Sequence, residues 1–183
     1  MSDPTTTADV LELKLEEEAE LHRLFRMYRM ESRKCLRSGA YLAACIMSGA
    51  ALEVMLMLAT SAFSDEAAAT GKLPKKKGKV PKPLLDWNLA ELLTVAKAAG
   101  WLPSALQLTE RWNRRKAKIG DYAEVVRMLR NLVHPAKYIE DNFNRQVTKK
   151  YTFFCNNIIE LITEIMITKI GKSIDIQMRS SSD

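Results

Sequence analysis

The stretch from Ala40 to Phe63, AYLAACIMSGAALEVMLMLATSAF, contains a single charged residue, Glu53. A helix this long and this apolar has no side suited to water, so it must be enclosed either by other helices or by a bilayer, which it is long enough to span. Two features favour enclosure by helices. Glu53 lies near the middle, where a carboxylate is costly in lipid. Ser48, Gly49, Ala50 and Ala51 are small enough to let neighbouring helices come close. The expectation is a second helix from about Ala40 to about Phe63, at the centre of a bundle and not in a membrane.

The flanking sequence supplies the helices such a centre needs. Asp9 followed by Glu12 has the form of a capping box, and the run to Ser38 places Leu21, Leu24, Phe25 and Tyr28 at i, i+3, i+4, i+7 spacing. One long first helix is expected there, interrupted at Gly39. At 183 residues, 47% of them hydrophobic, with seven Gly and six Pro, the chain suits one globular helical domain over residues 1–183. A domain of this size buries roughly 70% of the surface its unfolded chain exposes.

From Ser64 to Leu85 the periodicity stops. SDEAAATGKLPKKKGKVPKPLL reads as a basic, mobile loop spanning about 64–87. The net charge of +6 is matched by Lys72, Lys75, Lys76, Lys77, Lys79 and Lys82, so the rest of the chain is neutral in sum. An electrostatic partner would meet this stretch first. Lys75, Lys76, Lys77 and Lys79 are candidate contacts to RNA phosphates, set against the plainer reading of a solvated loop. A nucleotide-phosphate loop is rejected, because six residues separate Gly71 from Gly78 and Val80 stands where a magnesium-binding Ser or Thr is needed.

Asn88 or Asp86 can cap a third helix with Leu89, Leu92, Leu93 and Ala96 as its stripe and Gly100 as its stop. Trp101, Leu102 and Pro103 then turn the chain. Ser104 can cap a helix carrying Trp112 with Arg111, Arg114, Arg115, Lys116 and Lys118. Arg114 and Arg115 beside an aromatic ring are a second candidate phosphate contact, although Trp112 also fits a core edge.

A last helix is expected from about Phe143, with Val147, Tyr151, Phe154, Ile158, Leu161 and Ile165 as a heptad seam. The tail from about 172 to 183 has little to bury and is expected to fray. Cys35, Cys45 and Cys155 are odd in number and form no CxxC pair, and the N-terminus lacks the basic start and apolar core of a secretory signal. Both point to reduced thiols and a cytoplasmic location. No HExxH, G-x-S-x-G or zinc-like Cys/His spacing occurs, so no metal and no cofactor are expected.

The segment after Asp121, itself paired with Glu124 as a capping box, holds the most chemistry. Tyr122, Val125, Val126, Leu129, Leu132 and Val133 fall on one side of a helix that Pro135 should end. Arg127, Arg130, Asn131 and His134 gather on the other. Such a face is either a solvated surface or a site, and His134 is one of only two histidines in the chain.

The segment VVRMLRNLVHPAKYIED resembles the Arg-Asn-x-x-His-Pro helix of HEPN-like proteins. LAELLTVAKAAGWLP resembles the helix and turn before it, and AALEVML, with Glu53, is similar to members carrying an acidic residue near the site. The resemblance covers roughly Ala40 to Glu140. It implies an all-α, HEPN-like bundle of about four to six helices with long first, second and last members.

For function it implies a homodimer whose two motifs meet in a cleft, and either of two activities. The first is a metal-independent endoribonuclease of a defence or toxin type. There His134 would act as general acid or base, Arg127 and Arg130 would stabilise phosphate charge, Asn131 would orient groups, and Glu53 would pair with an arginine. The second is a non-catalytic interaction module using the same polar face toward a second copy or a cognate protein. The spacing bears on both: Arg130 is followed by Asn131 but is separated from His134 by three residues, whereas Arg127 has the family's wider gap but is followed by Met128.

Overall fold

The computed structural model describes residues 10–76, 80–102, 136, 139 and 147–180, without the side chains at 151, 154, 155, 158 and 172–180. Its described elements are all helical: α1 (Leu15–Arg37), α2 (Tyr41–Ala62), α3 (Ser64–Ala69), a 3-10 turn (Leu84–Asp86), α4 (Leu89–Ala98) and α5 (Lys149–Ser180). The expected all-α class holds for this part of the chain.

α2 is the hub. Among the described elements, α1, α3, the 3-10 turn, α4 and α5 all pack on α2 and scarcely on one another. Its residues from Val54 to Thr60 are buried without a break, so every side of the helix there faces protein. Leu52 and Leu56 are wholly inaccessible. It is also the one described helix long and apolar enough to cross a membrane, but most of it lies beneath its neighbours.

α1 begins later than the Asp9–Glu12 pattern suggested. Asp9 lies outside the described residues, and Val10 to Lys14 form a turn and an extended piece before the helix starts at Leu15. The physical reason is Leu11, which is fully buried, and the Leu13 amide, which donates to Ser61 Oγ at 3.0 Å. These contacts draw the segment across the end of α2. The capping exchange moves to Lys14, whose amide donates to Glu17 Oε2 at 2.9 Å. Leu21 is buried, with Leu24, Phe25 and Tyr28 packed beside it as their spacing indicates.

The helix ends in a Schellman turn: Ala40 N–H donates to Cys35 O at 2.9 Å and Gly39 N–H to Leu36 O at 3.3 Å. This geometry needs a left-handed residue, and Gly39 supplies it at φ 78°. Gly100 closes α4 in the same manner.

Part of the expected loop is structured. Ser64–Ala69 is helical because Asp65 and Glu66 lie in its first turn and alanines follow, and Ala67 is buried. The lysine-rich segment is pinned at its base: Leu73, Leu84 and Trp87 are buried, and the Trp87 indole donates to Lys82 O at 2.8 Å. An isolated antiparallel bridge pairs Lys75 with Pro81. Asn88, and not Asp86, caps α4, exchanging hydrogen bonds with Glu91.

α5 starts at Lys149, since Val147 and Thr148 are not helical, and its backbone stays helical to Ser180 in place of the expected fray. Its buried described residues are Thr152, Ile159, Ile162, Thr163 and Met166. Spacings of seven, three and four along Thr152, Ile159, Ile162 and Met166 are heptad-like; of the expected seam, Val147, Leu161 and Ile165 pack against the core, and the side chains of Tyr151, Phe154 and Ile158 lie outside those described. Thr152 can take a seam position because its hydroxyl is satisfied, donating to Thr148 O at 3.1 Å.

α1, α2 and α5 meet in a buried polar junction. Ser48 Oγ donates to Asn156 Oδ1 at 2.5 Å, Ser32 Oγ donates to Ala44 O at 3.0 Å, and the two hydroxyl oxygens lie 2.6 Å apart. Each hydroxyl is satisfied only if all three helices keep register. At the other end, Glu66 accepts from the Trp101 indole at 2.6 Å and from Lys169, whose ammonium lies 4.2 Å from the centre of the Phe63 ring. Cys35 is a half-buried thiol and Cys45 a buried one.

Candidate functional site

Arg127, Arg130, Asn131 and His134, together with Arg114, Arg115, Lys77 and Lys79, lie outside the described residues. Glu53 is within them, half-buried on the hub helix α2. Lys75 is exposed at the bridge with Pro81. Lys76 is bound to Asp86 at 2.7 Å, an ion pair that holds the Asp86 carboxyl below its ordinary range. Lys82 is likewise committed to Glu91, at 2.9 Å. Two of the loop cations are thus matched by carboxylates and contribute less to any outside anion than the bare count of lysines suggests.

A stronger cationic surface lies on α1. Its apolar residues face α2, and at about 100° per residue this turns Arg26, Arg33 and Arg37 together to the opposite side, with Arg29 and Lys34 at the edges. These five cations and Phe25 surround a groove of about 370 Å³. The Arg29 guanidinium lies 5.5 Å from the centre of the Phe25 ring, within cation–π reach.

The charges of this groove are only partly answered. Glu160, from α5, binds Arg29 directly and approaches Arg33 at 3.7 Å. The hydrogen bond from Arg29 holds the Glu160 carboxyl below its ordinary value, against an opposing push from burial. Glu31 takes Lys34 at 2.7 Å. Arg26 and Arg37 have no ion pair among the described residues, so five cations face two carboxylates.

Nothing in the apolar periodicity of the first helix singles out these arginines. The signal is present all the same: Arg26, Arg29, Arg33 and Arg37 are spaced three, four and four apart, a second stripe on the face that the apolar stripe leaves over. No metal-ligating cluster of His, Cys, Asp and Glu occurs among the described residues. Comparison with family models, with curated proteins and with solved structures finds no match to this chain.

Proposed function

We propose that the chain is a HEPN-like module directed at RNA, a homodimeric, cytoplasmic, metal-independent endoribonuclease of a defence or toxin type. The observation that carries this reading is the segment from Arg127 to Pro135, which places two guanidinium groups, an amide and an imidazole within the eight residues just before the proline. Those groups suffice for RNA cleavage without metal. His134 moves the proton of the ribose 2′-hydroxyl or of the leaving oxygen, and the arginines stabilise the charge that develops on the phosphate.

The all-helical scaffold around α2 and the cationic face of α1 support the same reading, since both suit a module that engages a polyanion. A second reading is favoured by one specific observation, the split of the family spacing between Arg127 and Arg130. It makes the chain a non-catalytic dimeric module whose polar helix face binds a second copy or a cognate protein.

Cleavage of a mixed RNA pool in the presence of chelator, by wild type and by His134→Ala at matched dimer concentration, separates the two. Loss of cleavage in the variant alone establishes the ribonuclease. Absence of cleavage by both proteins gives the function to the interaction module.

A further inference from the structure

We infer that the groove on the outer face of α1 is a binding site for the phosphate backbone of single-stranded nucleic acid, built from residues other than the Arg127–His134 set. The choice of RNA within that class rests on the function proposed above; the groove itself rests on geometry. Arg26, Arg33 and Arg37 line its axis with Arg29 at the edge, and α1 rises about 1.5 Å per residue, so along the helix cations recur about every 4.5 to 6 Å over roughly 16 Å. A row of that pitch follows an extended polyanion better than a single small anion.

The side-chain chemistry agrees. Arginine presents a planar fork that grips phosphate oxygens in pairs, and four of the five cations are arginines. Phe25, half-buried at the groove's edge with the Arg29 guanidinium 5.5 Å from its ring centre, adds an aromatic and a planar cation that an unpaired base can contact. A membrane surface suits this face poorly. Leu21, Leu24, Phe25 and Tyr28 of α1 pack toward the core, exposed Leu15 lies outside the groove, and half-exposed Met30 is the one apolar side chain in the groove with a large open surface, too little to anchor a helix in lipid.

Glu160 is the feature that makes the site regulable by its own structure. Its carboxylate occupies Arg29 and Arg33 as an internal competitor for phosphate, and an incoming strand must displace or share those hydrogen bonds.

The test is fluorescence anisotropy of a short 5′-labelled oligodeoxythymidylate, which lacks the 2′-hydroxyl and is not cut, across a salt series. The wild type, the combined Arg26→Gln, Arg33→Gln and Arg37→Gln variant, Glu160→Gln and His134→Ala, alone and with the triple set, are compared, with folding checked by circular dichroism. Wild-type affinity should fall with salt at about −0.7 in log–log slope per phosphate neutralised, and the triple variant should bind roughly tenfold or more weakly with a slope smaller by about two. Glu160→Gln should tighten binding by roughly threefold, since one competing charge is gone.

The affinity and salt slope lost in the triple variant should be lost equally in a His134→Ala background, so failure of the catalytic reading leaves the groove standing. Equal affinity and slope for wild type and triple variant overturn the inference, even where cleavage survives. Binding by the wild type to anionic vesicles or to polyglutamate, but not to the oligonucleotide, overturns it as well. A folded Arg33→Gln single variant, read in the same assay, serves where the triple variant does not fold.

Discussion

α1 and α2 are neighbours of nearly equal length, 23 and 22 residues, and they are built on opposite terms. In α2 the environment decides almost every side chain, because the helix is packed from all sides and any charge there needs a partner. In α1 only the stripe through Leu21, Leu24, Phe25 and Tyr28 is decided that way. Its outer face could be any mixture of soluble residues and the bundle would still close. Instead acids cluster at Glu16, Glu17, Glu18 and Glu20, and cations follow from Arg23 onward.

The helix dipole favours this order, which accounts for the acids at the start and for Lys34 and Arg37 in the last turn. The effect fades within a turn of each end, so it does not account for Arg26 or Arg29. The contrast teaches where to look for function: at side chains that the fold neither requires nor opposes.

The sharpest way to break this comparison is to cut matching side chains from both helices. Leu56→Ala, at a wholly buried position of α2, should cost about 2 to 5 kcal/mol in chemical denaturation. A small cost would mean that the hub is loosely packed. Next in size is Ser48→Ala, which takes away the hydroxyl donor to Asn156 Oδ1 and should cost about 1 to 3 kcal/mol. A double variant, Ser48→Ala with Asn156→Leu, should recover part of that loss, because an unmatched polar group is worse than none.

A smaller effect is expected from pH. Arg29 holds Glu160 below its ordinary value of 4.5, so the pair stabilises the fold above that pH and loses its contribution as pH falls through the lower folded-state value. The melting temperature of wild type should therefore exceed that of Glu160→Gln at neutral pH, with the gap closing in acid. A gap that widens in acid would contradict the pairing. Smallest of all, Arg26→Gln on the outer face should change stability by less than about 0.5 kcal/mol. A larger loss would place Arg26 among the residues the fold requires.

Much of the scaffold was legible because its determinants are local. The apolar run of α2, the stripe of α1, Asn88 with Glu91, and the positive-φ glycines at 39 and 100 each act within a few residues. What escaped depended on distant contacts. The start of α1 is set by Leu11 and by Ser61, some fifty residues on, and the buried face of α5 includes Thr152, a polar residue that an apolar pattern passes over. The α3 helix was hidden by reading one proline-rich segment as a whole.

For the candidate site, the motif around His134 was legible as chemistry in one short segment. The α1 groove was not, because its stripe shows only once the apolar side has been assigned to the core and Glu160 has been brought to it from more than a hundred residues away.

The most direct test of an RNA-directed role is photo-crosslinking of a 4-thiouridine-labelled RNA to the full chain, followed by peptide mapping. Cross-links in the peptides containing Phe25 to Arg37 and in those containing Arg127 to His134 are the expected result. No cross-link at all, or cross-links confined to the lysines between Lys72 and Lys82, would contradict it.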